Sequence, residues 1–116
     1  MKEFPSFMRN PCNAIDPAMQ SGGVEGYVYD GVDGSQMAFW TTSKSGKSSE
    51  HTHDFDEYFV VLEGECILYI KDERMILRHG DECHIPRGIP HSTEFTAGTR
   101  SIHAFGGQRA KRKPRQ

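Results

Sequence analysis

A chain of 116 residues has room for one domain with a single core and not for two. Only 35% of it is hydrophobic, no apolar run approaches the roughly 20 residues of a bilayer span, and residues 1–11 hold no apolar stretch of signal-peptide length. The composition therefore excludes a helical membrane protein and makes a cytoplasmic location the expectation, while the net charge of −2 conceals an acidic body and a basic end.

Residues 1–23 show neither helical nor strand periodicity; Pro5, Pro11 and Pro17 break any helix, and Ser21-Gly22-Gly23 reads as a turn. This N-terminal arm is expected to be disordered or to lie across a neighbouring subunit. Gly26–Tyr29 and Ser35–Thr42 predict a hairpin, with turn signals at Asp30-Gly31 and Asp33-Gly34. A polar loop over 43–49 leads to a short strand end at Glu50–His53, a turn at Asp54-Phe55-Asp56, and an apolar strand from Glu57 to Leu62 stopped by Glu63-Gly64. Cys66–Lys71, Met75–Arg78, Glu82–Ile85, His91–Phe95 and Arg100–Phe105 follow as strands, with turns at Asp72-Glu73, His79-Gly80-Asp81, Arg87–Pro90 and Ala97-Gly98. Short strands at this spacing, with almost no room for helix, make an all-β antiparallel sandwich or barrel. The three cysteines, Cys12, Cys66 and Cys83, show no disulfide framework, and Cys66 and Cys83 read as small buried strand residues. Arg109, Lys111, Arg112, Lys113 and Arg115 make the end basic. With no aromatic stacker among them they read as a frayed, solvated tail; nucleic acid is not an expected partner, because the acidic body repels phosphate.

The chemistry concentrates between His51 and His91. His51 and His53 stand two apart in a strand, so both imidazoles face one side about 6.6 Å apart at Cα. Glu57 has the same parity, but a straight strand would carry it about 13 Å past His53. The Asp-Phe-Asp turn reverses the chain and returns the carboxylate beside the two rings. His91 arrives from the far side, its approach fixed by Pro86, Gly88 and Pro90. Neutral imidazoles and a carboxylate suit one divalent Fe, Mn, Co, Ni or Zn ion. Four ligands would saturate a tetrahedral zinc, whereas a six-coordinate ion would keep two positions for water, substrate or O2. His79, beside a turn glycine, reads as exposed; His84 receives no role; His103, in the last strand, could line the cavity, though a packed or solvent-facing position is the preferred reading.

These residues fall into a known pattern. Gly46, His51, His53, Glu57 and Gly64, followed by Gly80, Pro86, Gly88 and His91, resemble the two motifs of the cupin superfamily, specifically the small single-domain bacterial cupins. Two departures show: Gly46 lies one residue closer to His51 than is usual, and Phe95 stands where an asparagine often does. The resemblance covers residues 46–95 and implies a jelly-roll barrel in which His51, His53, Glu57 and His91 hold one divalent metal. It divides the chain into an N-terminal arm (1–23), a cupin barrel (24–107) and a basic tail (108–116). Cupins of this size are commonly dimers, and the apolar Val60 and Leu62, facing opposite to Glu57, invite a second subunit as cover.

The expectation for function is a metal-dependent enzyme acting on a small oxygen-rich molecule, of isomerase, lyase or dioxygenase type, with Phe39, Trp40, Phe59 and Phe95 shaping the pocket. The alternative is a non-catalytic cupin module that binds or stores a small ligand. A purely structural zinc is a third reading.

Overall fold

The computed structural model describes residues 1, 3–16 and 23–114. Among these residues nine strands make up the fold: β1 (Val24–Asp30), β2 (Gln36–Thr42), β3 (Gly46–Lys47), β4 (Glu57–Glu63), β5 (Cys66–Ile70), β6 (Glu73–Leu77), β7 (Glu82–Ile85), β8 (His91–Phe95) and β9 (Arg100–Phe105). They form two antiparallel sheets, ordered β1-β2-β9-β4-β7 and β3-β8-β5-β6, the jelly-roll arrangement expected of an all-β chain of this pattern. Helical turns among the described residues are limited to the 3-10 segments Ser6–Met8 and Pro11–Asn13, and no helix is long and apolar enough to cross a membrane.

The strands alternate as a half-buried sheet requires. Along β2, Gln36, Ala38, Trp40 and Thr42 are buried while Met37 is exposed; along β4, Glu57, Phe59 and Val61 face inward. The core has two clusters. One gathers Ile15, Val24, Val28, Ala38, Trp40, Phe105 and Ala110; the other gathers Phe59, Val61, Cys66, Leu68, Leu77 and Ile85. Between them stands His103, its ring centroid 4.9 Å from Phe59 and 5.8 Å from Phe105.

Two turns repay inspection. Between β5 and β6 the pair Ile70↔Glu73 leaves Lys71 and Asp72 as the loop, both left-handed at φ 51° and 62°. The turn expected at Asp72-Glu73 is therefore one residue late: neither Gly nor Asn marks the position, so the usual two-residue hairpin signal is missing. Gly64, which ends β4, has φ +87°, and a Cβ there would come within 2.7 Å of Thr99 Cα. The motif glycine thus serves both a turn and a close backbone approach.

The chain ends depart most from expectation. Arm residues 3–16 lie on the chain's own barrel: Ala14 bridges to Tyr27, Ile15 is buried, and Phe4 packs edge-on against Tyr27 at 5.5 Å. The Ser21-Gly22-Gly23 turn falls largely outside the described residues. The tail is not frayed over 108–114. The Gln36 side chain accepts from Arg109 N and Ala110 N at 2.8 and 2.9 Å and donates to Ala110 O at 3.1 Å. Arm and tail then pair with each other, Ile15 bridging to Arg112, and Arg112 forms a 2.8 Å ion pair with Asp30. The basic residues here are thus divided between a paired cation, exposed lysines and Arg109, which turns inward.

Candidate metal centre

The backbone assembles the histidines before any side chain acts. His51 and His91 form an isolated bridge, each N–H donating to the other's carbonyl at 2.9 and 3.0 Å. His53 follows two residues on, past the same face, and Gly88 N–H donates to its carbonyl at 2.9 Å, which ties the second motif's glycine to the first motif's ligand. The ring centroids lie 4.4 Å (His51–His91), 4.8 Å (His51–His53) and 5.2 Å (His53–His91) apart. One ring nitrogen from each falls within 4.8 Å of the others.

Hydrogen bonds settle which nitrogens are available. His51 Nδ1 lies 2.8 Å from Ser49 O, and His91 Nδ1 lies 2.9 Å from Ile89 O. A carbonyl only accepts, so each Nδ1 carries a proton and Nε2 is the ring nitrogen left to meet an ion. For His53, burial pushes the pKa down to about 4; the Glu57 carboxylate opposes that fall, and Arg109 and the two other imidazoles reinforce it. Its ring is neutral near pH 7. Three imidazoles whose ring nitrogens converge in this way fit a divalent ion.

Glu57 opens β4 just after the bend at residues 54–55 and is buried, with Oε1 3.5 Å from His53 Nε2. It stands beside the three-histidine group, and its other oxygen is committed, 3.1 Å from His103 Nδ1. Burial pushes its carboxyl up, but the His103 hydrogen bond and the nearby imidazoles outweigh it and hold the group below the usual carboxylate range. His103 is itself held neutral by burial, against the pull of Glu57. Its Nδ1–H donates to Glu57, and its Nε2 accepts from Ser101 Oγ at 2.8 Å.

The rings and Glu57 line a cavity of about 50 Å³, whose wall also contains Trp40, Phe95, His103 and Arg109. Of the aromatic residues expected there, Trp40 and Phe95 are in place. Phe59 lies beneath, against His103, and Phe39 turns to the outer face against Tyr29 at 5.9 Å. Sequence reasoning missed Arg109, and for His103 it offered a packed ring or a cavity ring as alternatives where the structure gives both. His103 shares the inward parity of Ser101 and Phe105 and pairs with Phe59 across β4 and β9, a signal that strand parity contained. Arg109 left no such signal, because its position depends on the Gln36 clamp. His79 is exposed; His84 is exposed and contacts Asp56 at 3.2 Å. Burial pushes the Cys66 thiol well up and the Cys83 thiol up to about 12, so neither is a thiolate at neutral pH.

With this geometry in view, the comparison with known proteins is direct: a cupin domain is matched across residues 38–103. The chain belongs to the cupin family. This cupin is 43% identical over 51 residues to the uncharacterized protein YdbB of Bacillus subtilis (strain 168); the match takes in 42% of this chain and 45% of that one, so the chain spans less than half of that relative's length. Among solved structures it is similar to KdgF from Halomonas sp., with a TM-score of 0.70, 15% identity, and coverage of 95% of this chain and 93% of that one. A RmlC-like cupin from Shewanella frigidimarina gives a TM-score of 0.69 at 19% identity, covering 90% and 93% of the two chains. At such identities the two structures speak for the fold alone.

Proposed function

We propose that this cupin binds one divalent ion, of the Fe, Mn, Co, Ni or Zn group, through His51, His53, His91 and Glu57, and acts as a metal-dependent enzyme on a small oxygen-rich molecule. The observation that supports it most is that His51 and His91 commit Nδ1 to backbone carbonyls and so leave Nε2 for an ion, while one ring nitrogen from each of the three histidines falls within 4.8 Å of the others. When bound, the ion supplies Lewis acidity to an oxygen donor, for isomerase, lyase or dioxygenase chemistry. The residues do the rest. His103 ties down Glu57 Oε2 and leaves Oε1 on the histidine side, which favours one-oxygen ligation, while Trp40 and Phe95 add aromatic wall to the cavity.

The test is metal content by elemental mass spectrometry on the full chain and on a His51→Ala/His91→Ala double variant. About one equivalent in the wild type, lost in the variant, is the expected result. No uptake after incubation with each ion would refute the reading, and a zinc whose removal unfolds the chain would transfer the site to a structural role.

One observation favours the second reading, a module that binds a small ligand without turnover: both ring nitrogens of His103, the titratable group buried beside the ligands, are already engaged. Turnover in a broad metabolite screen would remove that reading. We further propose a cytoplasmic homodimer packed through the outer face of β4, where Tyr58 and Leu62 remain 38% and 42% exposed. A monomer by light scattering at micromolar concentration would refute the dimer.

A further inference from the structure

Two polar groups on the cavity wall have no partner among the described residues. Trp40 Nε1 and Thr42 Oγ1 are buried, their residues 7% and 2% exposed, and neither makes a hydrogen bond. Both point inward on β2 by the alternation that buries Gln36 and Ala38, and both residues line the same cavity as His51, His53 and His91. A buried donor left unmade costs about 1–3 kcal/mol, so two in one wall mark a surface completed by something else. The third feature is Arg109. It lines the cavity half-buried, and its guanidinium makes no hydrogen bond or ion pair among the described residues. Burial pulls it below its usual pKa, with Glu57 as the opposing charge. His53 and His103 beside Glu57 are neutral, so Arg109 and a divalent ion would face this one carboxylate, which cannot neutralise both.

We infer that Trp40, Thr42 and Arg109 form a carboxylate-binding subsite, which takes the acid group of a small organic acid whose other oxygen faces the three imidazoles. The chemistry follows from the donors. An indole N–H donates only, a hydroxyl donates readily, and a guanidinium prefers a planar two-oxygen anion to any neutral acceptor. The size follows from the cavity: 50 Å³ admits only a few water-sized positions, which fits a short-chain acid and not a polymer end. The inference rests on the proposed metal site for the position of the second oxygen, and not for the binding of the acid group.

The test titrates formate, acetate, pyruvate and lactate into the full chain, reconstituted with Ni(II) and separately stripped with EDTA, by calorimetry. Hydroxyacetone serves as the neutral analogue. The variants are Arg109→Gln, Trp40→Phe, which keeps the ring and loses the N–H, and Thr42→Val, which keeps the shape and loses the hydroxyl. Metal content and thermal melting are recorded for each.

Pyruvate is expected to bind the wild type, with Arg109→Gln weakening it at least about tenfold and the other two about three- to fivefold each. Hydroxyacetone is expected to bind more weakly and to ignore Arg109→Gln. Equal affinity for pyruvate and hydroxyacetone, or an Arg109→Gln chain that binds pyruvate as well as the wild type, would overturn the subsite. So would no binding of any acid to a metal-loaded chain, with the metal site left standing. If the wild type takes up no metal, the metal reading falls alone: binding to the stripped chain that is sensitive to Arg109→Gln still supports the subsite, and insensitive or absent binding overturns it.

Discussion

Replacing His103 with Phe would separate the two jobs of that ring. A phenyl keeps the stacking between Phe59 and Phe105 and removes the hydrogen bonds to Glu57 Oε2 and Ser101 Oγ. In metal-free protein at pH 7, loss of a donor to a buried carboxylate costs about 1.5–3 kcal/mol, and the stranded hydroxyl about 1 kcal/mol more. The more apolar ring returns about 1 kcal/mol. The net loss of about 1.5–3 kcal/mol lowers Tm by roughly 10 °C in a domain near this size. The sign with pH is the sharper part. In the native chain the Glu57 carboxyl sits below its ordinary value of 4.5, so its contribution is present above that pH and lost as pH falls through the native value. Without His103, burial acts with less opposition and raises the carboxyl. The charged form then costs stability at neutral pH, and protonation relieves that cost on acidification. The gap in Tm between wild type and His103→Phe is therefore widest at pH 7 and narrows toward pH 4, by calorimetry in EDTA. Adding Glu57→Gln should recover most of the loss. A gap that is the same at every pH, or a double variant whose losses simply add, would refute this account of the pair.

Three more outcomes are expected. Gln36→Ala removes the clamp on Arg109 and Ala110, costs about 2–3 kcal/mol, and speeds tryptic cleavage at Arg109 and Lys111; an unchanged cleavage rate on a gel would count against the clamp. Gly64→Ala, strained in φ and driven against Thr99, should cost about 2–4 kcal/mol in a urea titration, whereas Gly88→Ala, at φ +78° with open space around it, should cost about 1 kcal/mol, and the reverse order would be fatal to the argument. Because burial lowers the His53 pKa from 6.5 to about 4, the unfolded chain binds its proton first, so metal-free protein loses stability as pH falls from about 6.5 to 4. That loss is on the order of 1–2 kcal/mol after solvent screening, and His53→Gln should flatten this part of the profile.

What sequence reveals here follows from the range over which each rule acts. Strand parity is local, so the common facing of His51 and His53 could be read directly, as could the bend that brings Glu57 beside them. The hairpin of β1 and β2 was legible from its Asp-Gly pairs for the same reason. The turn at Lys71 and Asp72 was displaced because non-glycine residues hold the left-handed conformation without announcing it. Arg109 was hidden for a different reason. One Gln36 side chain, 74 positions away, replaces the ladder partners that residues 109 and 110 would otherwise seek, and no pattern within the tail encodes that. The arm escaped likewise: Ile15 is a single apolar residue in an aperiodic stretch, and only its pairing with Arg112 shows why it is buried.

The junction of arm and tail also decides how copies of this chain can meet. β1 ends the five-stranded sheet, and a bare terminal strand offers its N–H and C=O groups to any extended chain, the usual route to aggregation. Here Ile15 N–H takes Gly26 O at 2.9 Å, Ala14 bridges Tyr27, and the Arg112 guanidinium takes Val28 O at 3.0 Å. Strand addition at β1 is thereby capped from within, by segments from both sides of the barrel. A fragment cut to residues 24–107 would keep every strand and all four proposed ligands and yet expose that row of groups, so its first failing would be insolubility rather than loss of the metal centre.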